Sequence, residues 1–249
     1  MTASRDAVKL GPMSERIAVV TGATGGMGRE IVTDLAQDHH VYALGRDETK
    51  LAELGELENV TPLGVDLGHL LQDDEVLRED PDLAVIADLP EIDLLVHGAA
   101  MLESHTLEDA TYGDWHTQMG INTLQPALLT RLLLPGLRKA EGQVVFINSI
   151  SGQGPSAGSI VYGASKAALR SIADSFRDEI SPDGVRVATL FPSGTDTDMM
   201  RKASESHGDD EYHPEYYSAP VEIARAVRLI ADTGETTQFT NLDIRPRKP

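Results

Sequence analysis

Tyr162 stands four positions before Lys166 in "VYGASKAAL". On a helix, residues four apart share a face. A free tyrosine titrates near ~10, too high for efficient proton transfer at neutral pH, and a neighbouring ammonium favours the phenolate. The pair therefore reads as a proton donor and its tuner. It reads equally as the polar edge of an amphipathic helix, and the rest of the chain decides between the two.

A second stretch bears on that choice. "AVVTGATGGMGREI" runs an apolar strand into a glycine-rich turn and a helix start. Gly22, Gly26 and Gly28 follow the spacing G-x-x-x-G-x-G, with Thr24 and Met27 between them. Small residues let the backbone approach a pyrophosphate, and free N–H groups at a helix N-terminus bind its charge. The second strand ends "ALGRD", placing Arg46 just beyond its tip. A guanidinium there suits a ribose 2′-phosphate, whereas a carboxylate would bind the ribose hydroxyls. The expected cofactor is NADP, with NAD kept as the alternative by Asp47.

Elements that could position these residues alternate along the chain. "IAVV" (17–20), "VYALG" (41–45), "VTPLGVD" (60–66), "DLLVHGAA" (93–100), "QVVFINS" (143–149), "VRVATLF" (185–191) and "FTNLDI" (239–244) read as strands. Helical patterns cover 28–38, a short stretch around 49–57, 114–139, 160–180 and 220–232. Alternation of this kind predicts an α/β fold: a Rossmann-type doubly wound parallel sheet of about seven strands, helices on both faces, in a single domain spanning 16–249. Residues 1–15 read as a polar tail without a signal-peptide core, and Met13 is a second candidate start. Residues 66–93, with ten acids and one base, read as solvated connection, and 195–219 as a substrate lid.

Composition bounds the function. The 249 residues carry 40 acids against 21 bases, a formal charge of −19. Nucleic acid and anionic membrane surfaces are thereby disfavoured as partners. The absence of cysteine removes disulfides, thiolate metal sites and a thiol nucleophile, and no metal site is read from the sequence. No apolar run reaches transmembrane length, so a cytoplasmic location is expected.

The chain resembles the short, single-domain branch of the short-chain dehydrogenase/reductase family. The likeness spans residues 16–245 and is carried by "TGATGGMG" (21–28), "GVDL" (64–67), "LVHGAA" (95–100), "GIN" (120–122), "INSISG" (147–152), "YGASK" (162–166) and "PSGTDT" (192–197), in that order. Ser149 precedes Tyr162 by thirteen residues. The resemblance implies Tyr162 as general acid and base and Lys166 as its tuner and a ribose contact. It implies Ser149 as the holder of the substrate oxygen and Asn122 as a residue that bends a helix and supports a proton relay. Cofactor contacts implied in the same way are Gly22, Thr24, Gly26, Met27, Gly28, Arg46, Asp66, Leu67, Ala99, Tyr162, Lys166, Pro192, Thr195 and Thr197.

Two departures stand out. The family's Asn-Asn-Ala-Gly is here "HGAA", which makes His97 a packed strand residue, and Ser193 separates Pro192 from Gly194. The function implied is NADP(H)-dependent interconversion of a small-molecule carbonyl and a secondary alcohol. The rival is an NAD(P)-binding sensor without turnover. A sugar-nucleotide epimerase of the longer branch would need an added C-terminal domain. With apolar residues on several faces, the 160–180 helix predicts a homo-oligomer, dimer or tetramer. Acids in the lid favour a neutral substrate over a carboxylate.

Overall fold

A computed structural model describes residues 16–71, 81–206 and 212–247. The tail 1–15, the middle of the acidic connection and lid residues 207–211 lie outside the described residues. The strands are β1 (Arg16–Thr21), β2 (His39–Gly45), β3 (Val60–Gly64), β4 (Leu94–His97), β5 (Gln143–Ile147), β6 (Arg186–Pro192) and β7 (Asn241–Ile244). The main helices are α1 (Gly26–Leu35), α2 (Glu48–Leu54), α3 (Pro81–Ala87), α4 (Tyr112–Met119), α5 (Gln125–Ala140), α6 (Ile160–Ile180), α7 (Asp198–Ser206) and α8 (Pro220–Ala231).

All seven strands pair in parallel, in the order β3-β2-β1-β4-β5-β6-β7. Strand order reverses between β1 and β4, which opens a crevice at their C-terminal ends. The apolar runs have a physical reason: parallel strands covered on both faces alternate between two cores rather than between core and water. Ala18 and Val20 of β1 face Ile31, Leu35, Ile223 and Val227 of α1 and α8. Val19 faces the opposite side, with Leu95, Phe146, Leu129, Leu133 and Leu169. Truncating a buried leucine such as Leu133 to alanine costs about 2–5 kcal/mol. Arg228 ties α8 to α1, its Nε donating to Asp34 Oδ1 at 2.7 Å and its Nη1 to Asp38 Oδ1 at 2.8 Å.

Helix α6 runs over the residues expected. Elsewhere local detail departs from the pattern. The helix expected over 114–139 is two helices joined by a π turn at Gly120–Leu124. The acidic connection holds a 3-10 turn at Leu67–Leu71 and the helix α3, whose Leu83 and Ile86 are fully buried. The segment 195–219, expected to be a lid, also contains regular structure among its described residues, the helix α7 and a short turn at Pro214–Tyr216. Among the described residues, no helix is long and apolar enough to cross a membrane.

Candidate active site

The crevice is built around Thr21, at the end of β1. Its Oγ1 accepts from the backbone N–H of Gly98 at 3.1 Å and of Ala99 at 3.2 Å, locking the turn after β4 against the turn after β1. The approach is so close that only glycine fits at position 22. Gly22 has φ +67°, and a Cβ there would lie 2.6 Å from the Ala99 nitrogen. Helix α1 starts without a side-chain cap, so no side chain covers the first-turn N–H groups of Gly26, Met27 and Gly28. That arrangement suits an anionic ligand. The Met27 side chain packs on the core and leaves only its main chain to the turn.

Around this turn the other cofactor candidates are brought together unevenly. Thr24 contacts the tip of β2, where a Cβ on Gly45 would meet its methyl at 2.6 Å. Arg46 follows, exposed and without a hydrogen bond or ion pair among the described residues. Asp47, the residue that kept NAD open, is committed as the cap of α2, accepting from Lys50 N–H at 3.1 Å. Asp66 is exposed and accepts from Gly68 N–H at 2.9 Å, with Leu67 beside it opening the 3-10 turn. Thr197 reaches across from the lid to the glycine turn, its methyl 3.1 Å from where a Gly26 Cβ would stand. Pro192 ends β6, and Thr195 pairs with Ser218 across the lid base.

The four polar residues converge at the ends of β5 and α6. Ser149 follows β5, and its Oγ accepts from Ser151 N–H at 3.2 Å. That contact occupies an oxygen lone pair and leaves the hydroxyl proton to donate. Tyr162 is buried in the first turn of α6. Burial pushes its phenol up from the ordinary tyrosine range, and the hydrogen bond from Ser149 draws it back. Lys166 is buried one turn later, its Nζ donating to the Ile147 carbonyl at 3.0 Å. Burial lowers its pKa to about 8.

This corrects one expectation. Lys166 is near Tyr162, its Nζ 5.8 Å from the ring centroid. The ammonium is nevertheless anchored on β5, and the phenol is raised by burial rather than lowered by the lysine. The hydroxyl that opposes the rise is that of Ser149.

Asn122 lies inside the π turn and is fully buried. Its Oδ1 accepts from Met101 N–H at 2.8 Å, while its Nδ2 donates to Met101 O at 2.8 Å and to Ser165 Oγ at 3.0 Å. All the hydrogen-bonding capacity of its amide NH2 is thus spent on holding the loop after β4 to α6. Ser165 in turn donates to the Tyr162 carbonyl at 2.7 Å.

Three positioning residues are absent from the sequence-based set: Thr21, Asn148 and Ser165. Asn148 donates to Lys166 O at 3.1 Å and accepts from Ser149 N–H at 2.8 Å, clamping the serine to the lysine turn. Their signal was present but weak: each is a small polar residue on an otherwise apolar buried face.

His97 is packed as expected. It is buried, stacks on Phe146 at 4.9 Å and shares a 2.8 Å hydrogen bond with Thr130. The lid aromatics pack on one another, Tyr212 on Tyr217 at 4.7 Å, and Tyr212 donates to Asp196 at 3.1 Å.

Known proteins bear this arrangement out at the level of the family. The sequence pattern of the short chain dehydrogenases matches residues 16–208. The chain is 30% identical over 239 residues to the NADP-dependent 3-hydroxy acid dehydrogenase YdfG of Escherichia coli, covering 92% of this chain and 94% of that one. A solved chain of Corynebacterium glutamicum, described at the level of short-chain dehydrogenase/reductase, is 40% identical with TM-score 0.69, covering 93% of this chain and 100% of that one. The closed form of a serine dehydrogenase complexed with NADP+ is 27% identical with TM-score 0.78, covering 92% and 94%. A parallel sheet with this crevice, a glycine turn under it and the Ser149, Tyr162 and Lys166 spacing at its mouth place the chain in the short-chain dehydrogenase family of oxidoreductases.

Proposed function

We propose that this chain is an NADP(H)-dependent oxidoreductase that interconverts a carbonyl compound and a secondary alcohol by hydride transfer. The observation that carries the reading is the Ser149–Tyr162 contact beyond the end of β5, with Lys166 buried one turn behind it. The residues present fit a nicotinamide dinucleotide. Bare N–H groups at the start of α1 suit its pyrophosphate, and the Gly22 backbone leaves it room. Arg46, exposed and uncommitted, suits a 2′-phosphate, and two relatives are named for NADP. When bound, that cofactor supplies or accepts the hydride.

The chain's own residues then divide the remaining work. Ser149, whose oxygen already accepts from Ser151 N–H, turns its hydroxyl hydrogen bond from Tyr162 to the substrate oxygen and holds it without giving up the proton. Tyr162 gives that oxygen a proton in reduction and removes it in oxidation. Burial holds the phenol protonated, which suits reduction. Lys166 carries positive charge below about pH 8 and is held on the Ile147 carbonyl one turn behind the phenol. Asn122 and Ser165 set the position of the Tyr162 turn through its carbonyl.

Residues 195–219 act as a lid, hinged where Asp196 N–H donates to the Ser218 carbonyl at 2.9 Å and Ser218 N–H to the Gly194 carbonyl at 3.0 Å. The arginine of that lid, Arg201, is neutralised by Asp196 at 2.8 Å, which favours a neutral substrate. The relatives named for 3-hydroxy acids and serine favour a carboxylate-bearing one. Helix α6 turns Ile172 and Phe176 toward a groove against α5, and a second copy of the chain covers it. Light scattering that returns the mass of a single chain would refute the oligomer.

The test of the function is NADPH and NADH consumption against a panel of neutral ketones and of 3-oxo and 3-hydroxy acids. Tyr162→Phe should lower kcat by about 10²–10⁴ while leaving NADPH affinity within about twofold. Turnover unchanged by Tyr162→Phe would sink the mechanism. NADPH binding without turnover of any panel member would instead support the sensor reading.

A further inference from the structure

The loop after β4 carries a cluster that the proposed reaction does not use. His105 Nε2 lies 3.5 Å from Glu103 Oε2 and 3.7 Å from Asp114 Oδ1. These three donor atoms all fall within 4.8 Å of one another. The Nε2 atom is buried and makes no hydrogen bond among the described residues. A buried imidazole nitrogen facing two carboxylate oxygens, beyond hydrogen-bond reach of both, leaves a gap at the centre of the triangle. The geometry points to a divalent transition-metal site, of the kind Zn2+ occupies, ligated by Glu103, His105 and Asp114 with water completing the shell.

The dimensions suit that ion. Zinc bonds to imidazole nitrogen and carboxylate oxygen at about 2.0–2.2 Å, so a tetrahedral shell separates neighbouring ligand atoms by roughly 3.4 Å. The two measured separations, 3.5 and 3.7 Å, lie within about 0.3 Å of that. The donor set also selects among ions: an imidazole favours Zn2+ over Mg2+ or Ca2+, which take oxygen ligands throughout.

Two of the three ligands are supported from behind. Asp114 Oδ2 accepts from Thr111 N–H at 2.8 Å and Thr111 Oγ1 at 2.7 Å, which leaves Oδ1 turned to His105. The Glu103 backbone is clamped on both sides by Gln118, fully buried on α4: its N–H donates to Oε1 at 3.2 Å and its carbonyl accepts from Nε2 at 3.3 Å. Such supporting bonds orient metal ligands and tune their affinity.

The ion would staple the loop to α4, and its effect would reach the site. The His105 carbonyl accepts from Ile160 N–H at 3.1 Å, the first residue of the helix that carries Tyr162. Ser104 and Ser159 hydroxyls meet at 3.4 Å beside it. At the other end of the loop, Met101 is gripped by Asn122. Metal at this cluster thus fixes the segment between two anchors of the crevice.

The test is calorimetric titration of the chelator-treated full chain with ZnCl2 alone, beside His105→Asn, Glu103→Gln and, as a control at another histidine–glutamate contact, His213→Asn. The expected result is one saturable ion per wild-type chain. Affinity should fall about 10–100-fold or more in His105→Asn and Glu103→Gln and stay unchanged in His213→Asn. Zn2+ at about 100 times its dissociation constant should raise the wild-type Tm by on the order of 5 °C. Far-UV circular dichroism establishes that each variant is folded; Glu103→Gln, at an exposed side chain, carries the test if His105→Asn is not. Co2+ in place of Zn2+ should give the intense visible absorption of a four-coordinate site, lost in Glu103→Gln. Equal Zn2+ affinity in wild type and both site variants, or no saturable binding to wild type, would overturn the site and leave the cluster as side-chain contacts alone.

Discussion

Replacing Lys166 with methionine removes a charge that the fold buries at a cost. An exposed lysine titrates at 10.5, and burial brings Lys166 to about 8. The unfolded chain therefore holds the proton up to 10.5, whereas the folded chain gives it up near 8. Between these values the unfolded state binds more protons, and the Lys166 contribution to stability rises with pH. At pH 7 the folded state carries nearly the full penalty, about 3 kcal/mol. By pH 10 less than about 1 kcal/mol of it remains. Urea unfolding of wild type and Lys166→Met at steps from pH 7 to pH 10 reads the difference directly. Wild type should gain about 2–3 kcal/mol on the variant across that range, with the rise beginning near pH 8. Tyr162 has a raised pKa and opposes stability at the top of the range, but it is present in both proteins and cancels in the difference. Methionine keeps the length of the side chain and leaves the Ile147 carbonyl without its 3.0 Å donor. That loss offsets the gain at every pH alike and does not mimic the slope. A flat difference from pH 7 to pH 10 would refute the assignment of a strained, desolvated ammonium behind Tyr162. It would also remove the reason given for loss of its charge near pH 8.

Other outcomes follow from single contacts. Arg46→Ala should weaken NADPH binding about tenfold or more while leaving NADH within about twofold, read by fluorescence titration; unchanged NADPH affinity would dismiss the 2′-phosphate contact. Gly22→Ala should cost at least about 2 kcal/mol in urea unfolding and abolish cofactor binding, because its Cβ would stand 2.6 Å from the Ala99 nitrogen at φ +67°. His97 is lowered to about 3 by burial, so the unfolded chain binds a proton below its ordinary 6.5 that the folded chain refuses. Stability from this residue is present above about pH 6.5 and falls by about 3 kcal/mol between pH 7 and pH 4; in His97→Phe that share of the acid sensitivity should vanish.

The fold was legible because buried parallel strands and amphipathic helices write different periods into the chain. "IAVV" and "DLLV" named the sheet centre, and the 160–180 pattern gave α6 its observed bounds. The π turn was not legible in the apolar pattern, although the resemblance implied a helix bend at Asn122. Apolar residues continue through 114–139 without a break, and what forces the turn is the set of bonds from Asn122 to Met101 and Ser165, residues 21 and 43 positions away. Helix α3 was hidden by the acids around it, although Leu83 and Ile86 alone anchor it. The spacing of Ser149, Tyr162 and Lys166 was readable, but the direction of the lysine was not. A four-residue spacing states that two side chains share a face; it does not say that one of them turns to a strand carbonyl instead. The Glu103, His105 and Asp114 cluster escaped for the same reason, since a loop and a helix start meet there only through tertiary contacts.

The two departures from the family pattern are explained by what surrounds them. At position 98 a side chain would place its Cβ 2.7 Å from the Thr21 carbonyl, so the pattern's second asparagine cannot be accommodated without moving β1. Thr21 takes over the bridging, its hydroxyl accepting from both Gly98 and Ala99. His97 fills the volume on the other side of β4 against Phe146 and Thr130, so the strand end is held by a stack and a buried hydrogen bond. At the second departure, Ser193 donates its N–H to the Ile244 carbonyl at 2.8 Å and extends the pairing of β6 with β7 by one residue. Gly194 then falls where the Tyr217 ring passes, 2.6 Å from where its Cβ would be. The displaced glycine is therefore required by the lid rather than by the strand: any side chain at 194 would push out Tyr217, and with it the stacked Tyr212 that holds Asp196. Serine at 193 and tyrosine at 217 act as one feature. Deleting Ser193 alone should loosen the lid, whereas replacing Gly194 should displace it, and the two lesions should not add.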